Sequence, residues 1–252
     1  MNLYGNFSKE EWLKTLNINE TNIPSAFIIH GEWEHEENLK NWRTILSETK
    51  SPKWNTLIGL YKGSTIGYAN AYGSPAAINS THPFAAVGTD LFVQTGYFGG
   101  LSLEVNYGDL LIVTEAEMQD GVSNWYFPDA KTIKSDERII NAAIDYCEKK
   151  KYPYIAGSIV TTNTLLHETN EQIAASVMKG HLGIDMETAS TLAAAKRFNR
   201  KAIGLLNLSE HILKGDTLYA YTSERETIEA ETDEKIRDVA LYLAANTNKF
   251  TN

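Results

Sequence analysis

At 252 residues, with 42% hydrophobic and 22% charged residues, the chain has the composition of an ordinary soluble globular protein, which excludes collagen-like and disordered classes. A formal net charge of −9 argues against a nucleic-acid backbone as partner, because neutralising phosphates needs clustered Lys and Arg. A single cysteine, Cys147, excludes an intrachain disulfide framework and a cysteine-rich zinc site.

In chain order, Met1 to Leu13 carries Lys9, Glu10 and Glu11 and has no apolar h-region, so no secretory signal is expected. No run reaches the roughly 18 apolar residues of a membrane span, and cytoplasmic residence is the expectation. Residues 26–30 read as a short apolar strand running into Gly31, followed by a helix over Glu34–Ser47. Strands are predicted at 91–95 and 109–116, a helix at Ser135–Lys150, a strand at 154–160, a helix at Ala189–Asn199, a strand at 202–208 and a helix at Ser223–Asn246. This alternation predicts one α/β domain over 1–252, a three-layer α/β/α arrangement whose mixed, mainly parallel sheet gathers ligands beyond its strand carboxyl ends. The six carboxylates within Glu224–Glu234 read as the solvated face of a helix, and the dispersed histidines predict no metal centre.

The segment Gly183-Ile184-Asp185-Met186-Glu187-Thr188-Ala189-Ser190 places a carboxylate where an apolar strand end turns into an Ala-rich helix. Glu187 in the first turn has two readings: a helix cap, or a group that accepts hydrogen bonds from two neighbouring sugar hydroxyls. Four further stretches are collinear with it: Phe27-Ile28-Ile29-His30-Gly31-Glu32, Gln94-Thr95-Gly96-Tyr97-Phe98-Gly99-Gly100-Leu101, Gly108-Asp109-Leu110-Leu111-Ile112-Val113 continuing to Asp120-Gly121-Val122-Ser123, and Asn207-Leu208-Ser209-Glu210-His211. On these segments the chain resembles the nucleoside phosphorylase and nucleosidase superfamily, and a phosphorylase-like fold is implied.

The resemblance implies that Glu187 grips the ribose diol with Met186 packing under the sugar. It implies that Glu210, in place of the family's aspartate, protonates the departing base, with His211 as a neighbour. Gly31 and Gly96 fall in its two glycine-rich loops. Where its phosphorylases carry phosphate-binding arginines and a hydroxyl residue, this chain has His35, Gln94 and Tyr97, with Glu32 and Glu34 close by, a set that repels phosphate. The nucleosidases of the superfamily place a water-activating glutamate near the first of these positions. His35 is the candidate base here, or Glu34 or Glu36 if the loop register shifts by one. The base pocket falls on Val160 and Thr161, with Leu165 and Leu166 replacing aromatics, and His167-Glu168-Thr169-Asn170 lacks the arginine expected of a simple uridine phosphorylase. Trp125, Tyr126 and Phe127 read as core or subunit interface more than ligand contact.

Cleavage of the N-glycosidic bond of a purine-like (deoxy)nucleoside is therefore expected, with hydrolysis favoured. One alternative is phosphorolysis through a remodelled site that uses Lys53 or an arginine from another subunit. The other is a non-catalytic nucleoside-binding or storage protein. No cofactor is implied, with phosphate a co-substrate only if the reaction is phosphorolytic. The expected partner is a small-molecule nucleoside, and the resemblance implies a homodimer or homohexamer.

Overall fold

A computed structural model describes residues 3–250; residues 1, 2, 251 and 252, which the predicted domain range includes, lie outside the described residues. Its elements in chain order are α1 (Lys9–Leu16), β1 (Ala26–Gly31), α2 (His35–Ile45), β2 (Ser47–Lys50), β3 (Thr56–Tyr61), β4 (Ser64–Asn70), α3 (Ser74–Val87), β5 (Leu91–Gly100) and β6 (Leu110–Met118). There follow α4 (Ser123–Tyr126), β7 (Thr132–Lys134), α5 (Glu137–Lys150), β8 (Tyr154–Thr161), α6 (Asn170–Met178), β9 (Gly183–Asp185), α7 (Thr188–Arg197), β10 (Lys201–Glu210) and α8 (Ser223–Ala245).

Each predicted strand and helix is present, with ends shifted by a few residues. The largest shift is at β5, which runs past Gly96 to Gly100 where the glycine suggested a stop. Strands β3 and β4, which the sequence reading did not predict, form a hairpin whose two-residue turn puts Lys62 at φ 49° and Gly63 at φ 81°. Lys at the first of these positions hides a turn that Asn-Gly would have announced.

All ten strands join one mixed sheet. Strands β4, β1, β5 and β10 run parallel as neighbours, so their carboxyl ends face one side. The sheet also closes on itself: β5 pairs with both β9 and β10, and β9, β8, β6 and β10 complete the ring.

Burial on both faces follows from alternation along the central strands. In β1, Phe27 and Ile29 pack with Phe84 of α3 and with Ala189 and Leu192 of α7, while Ala26 and Ile28 pack with Trp42 of α2 and Val239 of α8. Cys147 of α5 is buried in the second of these layers, which raises its thiol pKa to about 11 and leaves it a structural thiol at neutral pH. Among the described residues no helix is long and apolar enough to cross a membrane.

Candidate active site

A cavity of about 660 Å³ opens around the ends of β1, β5, β9 and β10. Its floor is Gly31, Phe98, Gly99, Ile184 to Glu187, Ser209 and Glu210. Glu32 to Glu34, Glu37 and Asn38 form one wall, Tyr221, Glu226 and Glu229 another, and Leu165 and Glu168 a third, with Tyr72 at the rim.

The two readings of Glu187 separate here, because Asp185 does the capping. Asp185 Oδ2 accepts from the Thr188 amide at 2.8 Å, and its Oδ1 accepts from the Thr161 hydroxyl at 2.6 Å. Glu187 occupies the N-cap position of α7, yet its side chain makes no capping bond. It turns instead into the cavity, where Oε1 accepts from the Gly73 amide at 2.5 Å and Oε2 accepts from no side chain. A Cβ added to Gly31 would lie 2.6 Å from that Oε2, so only glycine leaves the carboxylate its place. Gly96 serves the same wall from beneath: its φ is 145°, and a Cβ there would meet the Gly31 backbone at 2.9 Å. Burial and the neighbouring Asp185 charge raise the Glu187 pKa.

Glu210 ends β10 and is buried, with the Ser209 hydroxyl donating to its Oε2. Burial raises its pKa, partly offset by Ser209 and the nearby Arg225. Across the cavity, burial and the charge of Glu210 push Glu168 up to about 7. Glu32 is also raised by burial, although the amides of Trp33 at 2.6 Å and Glu34 at 3.3 Å donate to its Oε1.

The sequence-predicted residues divide between the cavity and its support. Gly31, Tyr97, Met186, Glu187 and Glu210 come together on the cavity surface, whereas His35, Gln94, Gly96, Val160 and Thr161 do not reach it. Helix phase explains His35. It starts α2, and i, i+3, i+4 spacing brings Glu34, Glu37 and Asn38 to the cavity while His35 lies edge-on against Trp54, ring centroids 4.9 Å apart, and Glu36 is also off the wall. Gln94 is occupied beneath the floor, accepting from Thr191 Oγ1 at 2.6 Å and donating to the Thr95 carbonyl at 2.8 Å. Val160 is in the core, and Thr161 positions the Asp185 cap and the Ala189 amide. Lys53 donates to the Asn79 carbonyl at 2.6 Å and does not line the cavity. In the aromatic run, Tyr126 pairs with His82 and Phe127 packs on the core, while Trp125 is exposed.

The acidic stretch of α8 corrects the reading of Glu224–Glu234 as a solvated face. Glu226 and Glu229 line the cavity, and Asp233, one turn on, accepts from the Tyr97 hydroxyl at 2.7 Å and the Asn207 amide at 2.8 Å. The i, i+3, i+4 spacing was legible, but nothing local marked which stripe faced inward. Among the described residues nine carboxylates line the cavity, from Glu32, Glu34, Glu37, Glu168, Asp185, Glu187, Glu210, Glu226 and Glu229, with no Lys, Arg or His. Arg225, close behind, is turned away: its guanidinium donates to the Ala220 and Ser209 carbonyls and stacks on Tyr221 and Tyr107. Among the described residues no group of three or more His, Cys, Asp or Glu is placed to hold a metal ion.

Residues 29–245 match the profile of the Phosphorylase superfamily. The chain belongs to this superfamily. Relatives include a DeoD-type purine nucleoside phosphorylase of Myxococcus xanthus, 26% identical over 72% of this chain and 77% of that protein. One from Shewanella loihica is 26% identical over 88% of this chain and 90% of its own length. The fold is that of the uridine phosphorylase of Vibrio fischeri, with a TM-score of 0.78 over 90% of this chain and 94% of that one, at 18% identity. Superfamily membership agrees with the order of the glycine, Met-Glu and Ser-Glu segments along the chain.

Proposed function

We propose that this superfamily member cleaves the N-glycosidic bond of a purine-like nucleoside by hydrolysis. One observation carries the reading: the cavity keeps a buried carboxylate, Glu187, wedged between Gly31 and Gly73, and its lining among the described residues holds eight further carboxylates and no cation to bind phosphate. Glu187 accepts hydrogen bonds from the 2′ and 3′ hydroxyls, which favour its ionised form against the upward shift of burial, and sets negative charge beside the oxocarbenium-like sugar as it forms. Glu210, whose carboxyl burial shifts towards its protonated form, gives its proton to the base as the bond from C1′ to nitrogen breaks. Water adds to C1′ and loses a proton to Glu32, whose Oε2 is not engaged by the backbone amides that hold Oε1. Free base and free sugar are the products.

Phosphorolysis is the second reading, favoured by the activities named for the relatives. Nucleosides incubated with the enzyme in phosphate-free buffer discriminate the two. Release of base with free ribose supports hydrolysis, whereas strict dependence on added phosphate with ribose 1-phosphate as product overturns it. Nucleoside binding without turnover under both conditions leaves a binding protein.

A further inference from the structure

We propose that the substrate carries a cationic group on its sugar 5′ carbon, held at the cavity mouth by the Trp33–Tyr72 pair and the carboxylates of Glu34 and Glu37. The proposal deepens the glycosidase reading and rests on its placement of the ribose.

Sugar chemistry picks the position. With the 2′ and 3′ hydroxyls on Glu187 and C1′ bonded to the base, the exocyclic C5′ is the arm free to point outward. The mouth beside Glu187 is where Trp33 and Tyr72 stand, 56% and 45% exposed, their ring centroids 5.7 Å apart and their planes inclined at 58°. Two tilted aromatic faces flanked by carboxylates form a site that attracts an alkylammonium or similar cation through both ring quadrupole and charge. The loop that presents Glu32 is anchored: the Asn70 amide donates to the Glu32 carbonyl, and Asn38 in turn donates to Asn70 at 3.0 Å.

A second observation points to a ligand. Glu187 lines the cavity although only 5% exposed, and beyond the backbone amides that reach its carboxylate no side chain donates to it, which leaves it to accept from the ribose hydroxyls that set the direction of C5′. The carboxylates are spread along the walls and none of the described residues converge as a metal-holding group, which fits an organic cation better than a bare metal ion. Arg225 does not line the mouth, since two of its guanidinium nitrogens donate to the Ala220 and Ser209 carbonyls while the group stacks on Tyr107 and Tyr221.

The test compares adenosine and inosine with their 5′-amino-5′-deoxy counterparts, measuring kcat/KM for base release at low and high salt, together with binding by equilibrium dialysis. The 5′-amino compounds are expected to exceed the 5′-hydroxyl ones by about tenfold or more at low salt, an advantage that shrinks as salt screens the exposed part of the site. In Trp33→Ala and in Glu34→Gln/Glu37→Gln the amino-to-hydroxyl ratio falls towards unity. Equal or weaker handling of the amino compounds by the native protein overturns the proposal. If no nucleoside is turned over, the hydrolytic reading fails while the binding ratio still decides this one: tighter binding of the amine supports it, and no preference overturns it.

Discussion

The two halves of the cavity are built by different means. On the sugar side, Glu187 is fixed by backbone: Gly73 donates to it, Gly31 makes room for it, and Asp185 takes over the helix cap that would otherwise occupy it. On the opposite side, Glu34, Glu37, Glu226 and Glu229 project from the start of α2 and the first turns of α8, and no change in strand register is needed to alter them. The sugar grip is therefore a property of the sheet, whereas the nucleophile and substituent walls are a property of helix faces, where chemistry can be rewritten one side chain at a time.

The largest effect that tests this contrast is expected on the sheet side. Glu187→Gln is predicted to lower kcat/KM by roughly 10³-fold, because the lost charge acts on the developing sugar cation. The same change removes an ionisable group buried beside Asp185 and keeps an acceptor for the Gly73 amide, so its thermal midpoint holds or rises. Activity within tenfold of the native protein would break the assignment of the sugar side. Next is Glu210→Gln, which keeps a donor but has no proton to transfer; a loss of about 10²-fold is expected for purine nucleosides. A p-nitrophenyl riboside, whose leaving group needs no proton, is expected to lose little, and an equal loss on both substrates would remove Glu210 from the role of general acid.

The helix side is sharpened by pH. Burial raises Glu168 and Glu229 to about 7 in the folded protein, above their value in the unfolded chain. Between pH ~4.5 and 7 these two groups bind more protons in the native state than in the unfolded state, so their contribution to the stability of the ligand-free protein declines as pH rises through that window and levels off above it. Both groups are partly solvated, which keeps the effect small. Urea denaturation at pH 5, 6, 7 and 8 measures the slope, and Glu229→Gln is expected to flatten it. An unchanged slope in that variant would show that α8 does not press its charge into the cavity.

What could be read from the chain follows the same division. The collinear glycine and Met-Glu segments lie on the sheet side, where strand ends impose glycine and carboxylate at set positions, so Gly31, Met186, Glu187 and Glu210 were named from sequence and meet at the cavity. The layers were legible because alternation and 3.6-residue spacing record burial directly. Glu226, Glu229 and Tyr72 were not foreseen, since a carboxylate on a helix or an aromatic in a loop looks the same whether it faces solvent or a pocket. Helix α3 was also missed: Pro83 in its interior and a Ser-Pro start hide it, and its Ala and Phe residues declare themselves only through packing against α7 and β1.

His35 gives the smallest predicted effect and the most direct check on helix phase. The resemblance to nucleosidases, which place a water-activating glutamate near this position, makes His35 the candidate base, but α2 begins at that residue and carries the imidazole onto Trp54. One residue around a helix is about 100°, enough to exchange a cavity position for a packing one. His35→Ala is therefore expected to change kcat/KM by less than about threefold, whereas Glu32→Gln, on the wall, is expected to lower it by about 10²-fold. A reversed order in base-release assays would mean that the first turn of α2 rotates when substrate binds, and the helix side of the cavity would then be assembled by the ligand.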